Sequence, residues 1–420
     1  MHRSLLTFIA LSCAVLAPPA LAQDLAAAIA DAQANAPTLA EAQAGEAAAS
    51  ARMDGAAAEA NPTVRIEGSA GIGRIDNAGF FGITADNVNP LAVQATAEMP
   101  LYTGGRLDAA RAQARGGTDI ARYRTEQARL DVAISAVAAY AEVLTARQIE
   151  QSFVSLVAEL KEVERQAALR FRAGDITSSD VALIKARRAE AEAGLAAAHG
   201  RRMSAEAGFE RLTGKAPGAL APLPAPPPAP PSLSYAIELA HLNNPALKQA
   251  EQGVVIAQAG ARAARAEAMP AVGAFAEAAY VRDQFFPGYK SNSVAVGVRG
   301  RWTLYSGGRT PAQVRGADAE IAMAEARARQ TRQTLDGMVI DAWHGLETAQ
   351  RMVAASEARL AAANEALRGT RLEAQVGAKP TLAVLDAERE VNAAQTALLE
   401  AQGRRHIAAW RLNALTGFEQ

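Results

Sequence analysis

Residues that commonly do chemistry are sparse in this chain. Beyond residue 22 there are four histidines, His199, His241, His344 and His406, and they are scattered rather than grouped as metal ligands must be. His344 and Glu347 stand three apart on one helix face, which reads as a solvated pair. Gly208 and Gly214-Lys215 only superficially match a phosphate-binding loop. Five residues separate the glycines instead of four, and Ala216 stands where Ser or Thr must hold magnesium. No Gly-x-Ser-x-Gly elbow occurs. The single cysteine, Cys13, falls in an N-terminal leader, so neither thiol chemistry nor disulfides are expected of the processed chain. No catalytic residue, metal or cofactor is assigned.

What remains are two helix-breaking segments. The first runs Arg170-Phe-Arg172-Ala173-Gly174-Asp-Ile-Thr177-Ser178-Ser-Asp180, the second Val376-Gly377-Ala378-Lys379-Pro380-Thr381 and on to Asp386. Each glycine can take the left-handed conformation that ends a helix. Thr177 or Ser178, and Thr381, can cap the helix that follows, and Pro380 suits its first turn. Both segments also read as plain αα-hairpin turns. Tyr140 and Trp343 are expected in a core.

The elements around these segments follow from composition. The 420 residues are 50% hydrophobic but 5% aromatic. About a quarter are alanine, the best helix former and one that lets helices pack closely. Long, close-packed helices are the expectation. The 43 basic and 44 acidic residues leave a net charge of -1, against a nucleic-acid binder. Residues 1–22 read as a secretory signal: basic His2 and Arg3, an apolar Leu5 to Leu16, and Ala20-Leu21-Ala22 before a cleavage site. Ala10-Leu11-Ser12 fits lipidation at Cys13 poorly. No later segment offers about 18 uncharged apolar residues, so membrane entry would need a β-barrel.

The chain repeats itself. Leu25 to Pro37 (LAAAIADAQANAP) returns as Leu233 to Pro245 (LSYAIELAHLNNP), and Pro62 as Pro270. Leu101-Tyr-Thr-Gly104-Gly105-Arg106 returns as Leu304-Tyr-Ser-Gly307-Gly308-Arg309. Gly174 returns as Gly377, and Leu212-Thr-Gly214 as Leu415-Thr-Gly417. The register shifts once, between Pro62 and Leu101, as at a surface hairpin tip. The expected division is repeat 1 over 23–214, a proline-rich strap over 215–232, and repeat 2 over 233–420.

Within repeat 1, helices are expected over about 24–61, 106–172 and 178–212, with strands near 63–73 and 93–102. In repeat 2 the helices are 233–268, 309–375 and 381–415, and the strands 271–281 and 294–305. Val64, Ile66, Ala70 and Ile72 alternate with Arg65, Glu67 and Ser69. Val93, Ala95, Ala97, Met99 and Leu101 alternate with Gln94, Thr96 and Glu98, and Val294, Val296, Val298, Trp302 and Leu304 oppose Arg299 and Arg301. This is the pattern of a membrane barrel, and equally of an ordinary half-buried sheet. Phe80, Phe81, Tyr102, Phe285, Phe286, Tyr289, Trp302 and Tyr305 gather at strand ends, as membrane interfaces favour. The first long helix would span ~100 Å at 1.5 Å per residue. Its apolar residues Leu130, Ile134, Val137, Ala141 and Leu144, then Ile149, Phe153, Leu156, Leu160, Val163 and Ala167, step as in a coiled coil.

Paired recurrence of these motifs in order resembles the TolC-type outer-membrane channels, or outer-membrane factors, over essentially the whole processed chain. The resemblance implies an α+β membrane protein of two tandem helix–hairpin–long helix–helix repeats. It implies a homotrimer whose chains each give four strands to a twelve-stranded barrel in outer-membrane lipid of a Gram-negative cell. The helices would form a coiled-coil tunnel across the periplasm. Pro62, Gly104, Gly105, Pro270, Gly307 and Gly308 would mark the junctions of barrel and helices. Arg172, Ala173, Gly174, Val376, Gly377 and Ala378 would be tips docking a periplasmic adaptor, itself joined to an inner-membrane transporter of RND or ABC type. Asp180, Lys379 and Asp386 match gate positions. The family usually carries two acidic residues three apart at that tip; Asp386 matches the second, and Ala383 stands at the first. The function implied is a passive export duct of a tripartite efflux pump or type I secretion system, not an enzyme. A periplasmic coiled-coil adaptor or scaffold is the alternative, and it gives no reason for the duplicated strand pairs.

Overall fold

A computed structural model describes residues 22–75 and 86–417. The expected leader with Cys13, and Phe80 and Phe81, lie outside the described residues. The chain is α+β and mostly helical. Its order is α1 (Leu25–Asn35), α2 (Pro37–Ala58), β1 (Thr63–Ala70), β2 (Gly73–Ile75), β3 (Asp86–Val88), β4 (Leu91–Tyr102), α3 (Arg106–Ala173) and α4 (Ser178–Thr213). Then come α5 (Leu233–Asn243), α6 (Pro245–Ala266), β5 (Ala271–Arg282), β6 (Lys290–Arg301), α7 (Arg309–Gln375) and α8 (Thr381–Thr416).

The helices expected over 24–61 and 233–268 are each two. Pro37 and Pro245 have no N–H to donate and push the preceding residue out of the helical region. Ala36 sits at ψ 113° and Asn244 at ψ 122°. Each proline then opens a new helix, where its missing donor costs nothing. The Asn244 side chain accepts from the Ala246 and Leu247 N–H groups at 3.0 and 3.4 Å.

Packing divides the chain into two compact units, neither of which is a sequence half. One gathers the residues up to Ala36, Asp131–Ala229 and Ala342–Ala414, the other Pro37–Leu130, Pro230–Asp341 and the residues from Leu415. The chain passes from one unit to the other within the 215–232 strap, between Ala229 and Pro230, but each unit draws on both repeats, because α3 and α7 each contribute to both.

In the first unit Leu25, Ala28, Val137, Tyr140, Val143, Ala205 and Phe209 form one buried cluster. Leu156, Val157, Leu160, Ala167, Ile184, Ala191 and Leu385 form another. The buried stripe of α3 also takes in Val132 and Ala136, so it is wider than the expected coiled-coil seam, and Leu130, Ile134 and Leu144 lie at its half-buried margin. By length and composition α3 is the one described helix that could cross a membrane, but its apolar residues supply this core. Tyr140 is fully buried as expected, whereas Trp343 is half-exposed. The Tyr140 hydroxyl lies 2.8 Å from the Gln23 carbonyl and 2.6 Å from that of Ala221. Arg147 donates to the Gly218 and Pro217 carbonyls at 2.7 and 2.8 Å, holding the start of the strap.

Each Leu-Thr-Gly ends a helix against an asparagine. The Asn35 amide donates to the Arg211 and Leu212 carbonyls at the end of α4, at 3.3 and 3.2 Å. A Cβ on Gly214 would come within 3.1 Å of that amide. In the second unit Asn243 donates to the Thr416 carbonyl at 3.1 Å, and a Cβ on Gly417 would meet it at 2.8 Å.

Candidate functional site

The second unit carries an antiparallel four-stranded sheet in the order β1-β4-β5-β6. Its register lines up Ile66, Ala95, Ala278 and Val294 in one row, and Val64, Ala97, Ala276 and Val296 in the next. Side chains alternate between faces, so these rows make a continuous aliphatic face. None of the described residues covers it: Val64 is 74% exposed, Ile66 73%, Val294 81% and Val296 79%. A soluble sheet would bury this face.

The opposite face carries Arg65, Glu67, Glu98, Glu277, Arg299 and Arg301. Arg299 lies 3.3 Å from Glu98 and 3.8 Å from Glu277, with its guanidinium 4.5 Å over the Phe275 ring. The strand expected near 63–73 breaks after Ala70, and β2 pairs with β3 as a separate ribbon. The last strand starts and ends earlier than the expected 294–305. Trp302, Leu304 and Tyr305 follow it, where the Trp302 Nε1–H donates to the Ala268 carbonyl at 3.0 Å. Phe285, Phe286 and Tyr289 pack on one another in the β5–β6 turn, edge to face.

The junction motifs fold alike. Gly104 and Gly307 have φ of 63°, and Gly105 and Gly308 have φ of 90° and 86°. Arg106 N–H returns to the Thr103 carbonyl at 3.1 Å, and Arg309 N–H to that of Ser306 at 3.2 Å. The Thr103 and Ser306 hydroxyls accept from Leu107 and Thr310 N–H, starting α3 and α7. A Cβ on Gly104 would come within 2.4 Å of the Met269 Cβ. Pro62 and Pro270 immediately precede β1 and β5.

Both tips lie in the first unit and end their long helices identically. Gly174 N–H donates to the Phe171 carbonyl and Asp175 N–H to that of Arg170. Gly377 N–H donates to Ala374 and Ala378 N–H to Glu373. This is the Schellman pattern, with φ of 82° and 79° at the two glycines. Arg172 and Ala173 form the last turn of α3, and Val376, 81% exposed, ends the turn before Gly377.

The restarts differ. Thr177 caps α4 in a capping box: its N–H and hydroxyl donate to the Asp180 carboxylate at 3.0 and 2.8 Å, and its hydroxyl accepts from Asp180 N–H. These bonds, the backbone one first, hold the Asp180 carboxyl below its ordinary pKa. Thr381 is not a cap, because α8 begins with it and the residue before is Pro380, which has no side-chain acceptor.

Asp180 and Lys379 line one groove of about 260 Å³ with Ile176, Leu183 and Gly377. Within the chain each is engaged elsewhere, Asp180 in its cap and Lys379 with Glu373 at 2.5 Å. Asp386 lies outside that groove and pairs with Arg187 at 3.0 Å. Arg187 also meets Glu190 at 3.0 Å, and Arg389 lies 3.6 Å from Glu190, a ladder joining α4 and α8. Sequence reasoning missed Arg187, Glu190 and Glu373. The Thr177-x-x-Asp180 spacing was a legible capping box; the cross-helix partners left no local signal.

The family profile described as outer membrane efflux protein matches residues 28–215 and again 236–418. Outer membrane efflux protein BepC of Brucella suis biovar 1 is 32% identical over 285 residues, covering 67% of this chain and 62% of that protein. Protein CyaE of Bordetella pertussis is 29% identical over 284 residues, covering 64% of this chain and 58% of that one. The matched regions thus span less than two thirds of either relative. Among solved structures, the outer membrane protein VceC from Vibrio cholerae superposes with a TM-score of 0.79 at 21% identity, over 94% of this chain and 96% of VceC. At that identity the likeness speaks for the fold. With the family matched over both halves, the chain belongs to the outer membrane efflux protein family and is a protein of the outer membrane.

Proposed function

We propose that the protein is a passive export duct assembled from three copies. The carrying observation is the sheet: an uncovered aliphatic face, a charged opposite face, and open edges at β1 and β6. Four strands cannot close a barrel, and unpaired edges in lipid are prohibitively costly. Three copies joined edge to edge give twelve strands, with aliphatic rows toward lipid and Arg65, Glu67, Glu98, Glu277 and Arg299 toward the lumen. The helices continue the duct into the periplasm.

Phe171, Leu372 and Val376 are exposed apolar residues beside the two Schellman turns. They suit helix-against-helix docking of a periplasmic adaptor, itself coupled to an inner-membrane transporter of RND or ABC type. Asp180, Lys379 and Asp386 are the gate in this reading. Their partners within one chain are weak, exposed contacts that a docking partner can replace. The reading needs no cofactor and no catalysis. The family match favours this reading over a periplasmic adaptor.

The test is particle mass after detergent extraction of the outer-membrane fraction. Three protomers falling to one on boiling are expected. A soluble periplasmic monomer would overturn the duct.

A further inference from the structure

We propose that Arg282 and Lys290, at one end of the lipid-facing side of the sheet, bind the phosphate of an anionic lipid headgroup in the outer leaflet. This rests on the barrel reading above. In the four main strands Arg65, Glu67, Glu98, Glu277, Arg299 and Arg301 all share the lumenal face. Two charges break that segregation, Arg282 and Lys290. They are cross-strand partners, and both are cations. The pairs next inward on the same face are Tyr280 with Asn292, Ala278 with Val294, Ala276 with Val296, Ala274 with Val298 and Val272 with Gly300. The face therefore reads, from the turn inward, as cationic, then aromatic, then aliphatic.

Depth agrees with this order. From Val272 to Arg282 a strand advances about 34 Å, or roughly 25 Å across the membrane at the usual barrel tilt. That is the height of the apolar band, so the two cations stand at headgroup level, where a lipid-facing charge is tolerated. They lie at the β5–β6 turn, away from the helix junctions at Pro270 and Trp302, and so at the outer leaflet if the helices are periplasmic.

The place is held rigidly. Asp283, at φ 54°, accepts from Gly288 N–H at 2.7 Å, and its own N–H donates to the Tyr289 carbonyl at 2.8 Å. Phe285 and Phe286 pack against Tyr289 above it, with ring centroids 5.2 and 5.1 Å away. Asp283 answers Arg282 at 3.4 Å. Lys290 has no acidic partner among the described residues, so the pair keeps a positive surplus. A headgroup phosphate supplies the missing anion where lipid tails already cover the rows below.

The test uses the full chain in detergent, with native mass spectrometry and titration by diphosphorylated lipid A, its dephosphorylated counterpart, and inorganic phosphate. The wild type is expected to prefer the phosphorylated lipid about tenfold. The preference should vanish in the Arg282→Gln, Lys290→Gln double variant and survive Arg301→Gln, which changes the lumenal face. Excess inorganic phosphate should not displace the lipid. Equal binding of the two lipids, a preference that survives the double substitution, or displacement by inorganic phosphate each overturns the proposal. A membrane-extracted trimer with no phosphate preference sinks this inference alone; a soluble monomer sinks the barrel with it.

Discussion

The Arg187 guanidinium on α4 lies 3.0 Å from the Asp386 carboxylate on α8, and equally 3.0 Å from Glu190 on its own helix. One cation thus ties the two helices that follow the tips. An exposed pair of this kind is worth about 0–1 kcal/mol. Asp386→Asn should therefore leave the melting temperature nearly unchanged while loosening α8 from α4. The expected readout is an up to roughly fivefold rise in entry of a large antibiotic, the factor that 1 kcal/mol allows. Permeability equal to wild type would remove Asp386 from the gate.

Adjacent glycines at the first junction should differ sharply. A Cβ on Gly104 would sit 2.4 Å from the Met269 Cβ and 3.1 Å from the Ala266 carbonyl, whereas one on Gly105 meets open space. Both positions carry the left-handed backbone cost of about 1–2 kcal/mol. Only Gly104→Ala adds overpacking of about 1–3 kcal/mol. Folded yield in the outer membrane should fall much further for Gly104→Ala than for Gly105→Ala. Equal yields would mean that Met269 yields at no cost.

Arg299 stands between Glu98 and Glu277 on the charged face, where three cations oppose three anions in the main strands. Arg299→Gln leaves both glutamates unanswered. In planar bilayers the reversal potential under a salt gradient should move toward cation selectivity. The shift should be larger at 0.01 M salt, where screening reaches about 30 Å, than at 1 M, where it reaches about 3 Å. No shift at low salt would place these charges away from the conduction path.

His406 is buried on α8, 7% exposed. Burial first, and neighbouring Arg405 second, lower its pKa from 6.5. The folded chain therefore resists protonation that the unfolded chain accepts. Stability from this group is intact above pH 6.5 and is lost as pH falls through the folded value. The melting temperature should drop between pH 7 and pH 5, and the drop should shrink in His406→Gln. An identical pH slope in both proteins would show that other groups carry the acid sensitivity.

Much of this architecture was legible because its signals are local. Period-two alternation located β1, β4 and β6, though it was weak in β5, and the paired Gly-Gly and Gly tips located the ends of α3 and α7. Pro37 and Pro245 were equally visible, but alanine-rich flanks hid their breaks, since helical propensity continues through them. The partners of the tip charges were less legible, with one exception. The spacing of Thr177 and Asp180 already makes them one hydrogen-bonded capping unit. The partners of Asp386 and Lys379 lie across a helix pair and across a turn, where no sequence period points. The packing units could not be read at all, because each long helix serves both.

The asparagine at the end of each first short helix has a kinetic consequence. Asn35 meets Leu212 across 177 residues, and Asn243 meets Thr416 across 173. A chain threaded through the export machinery from its N-terminus cannot form the first clasp until the end of α4 has emerged, nor the second until the end of α8 has. Closing loops of that length is entropically costly and slow. The alanine-rich helices can form early on their own local contacts, but each half waits, unfastened, for its last turn. That interval is when periplasmic chaperones have most to hold.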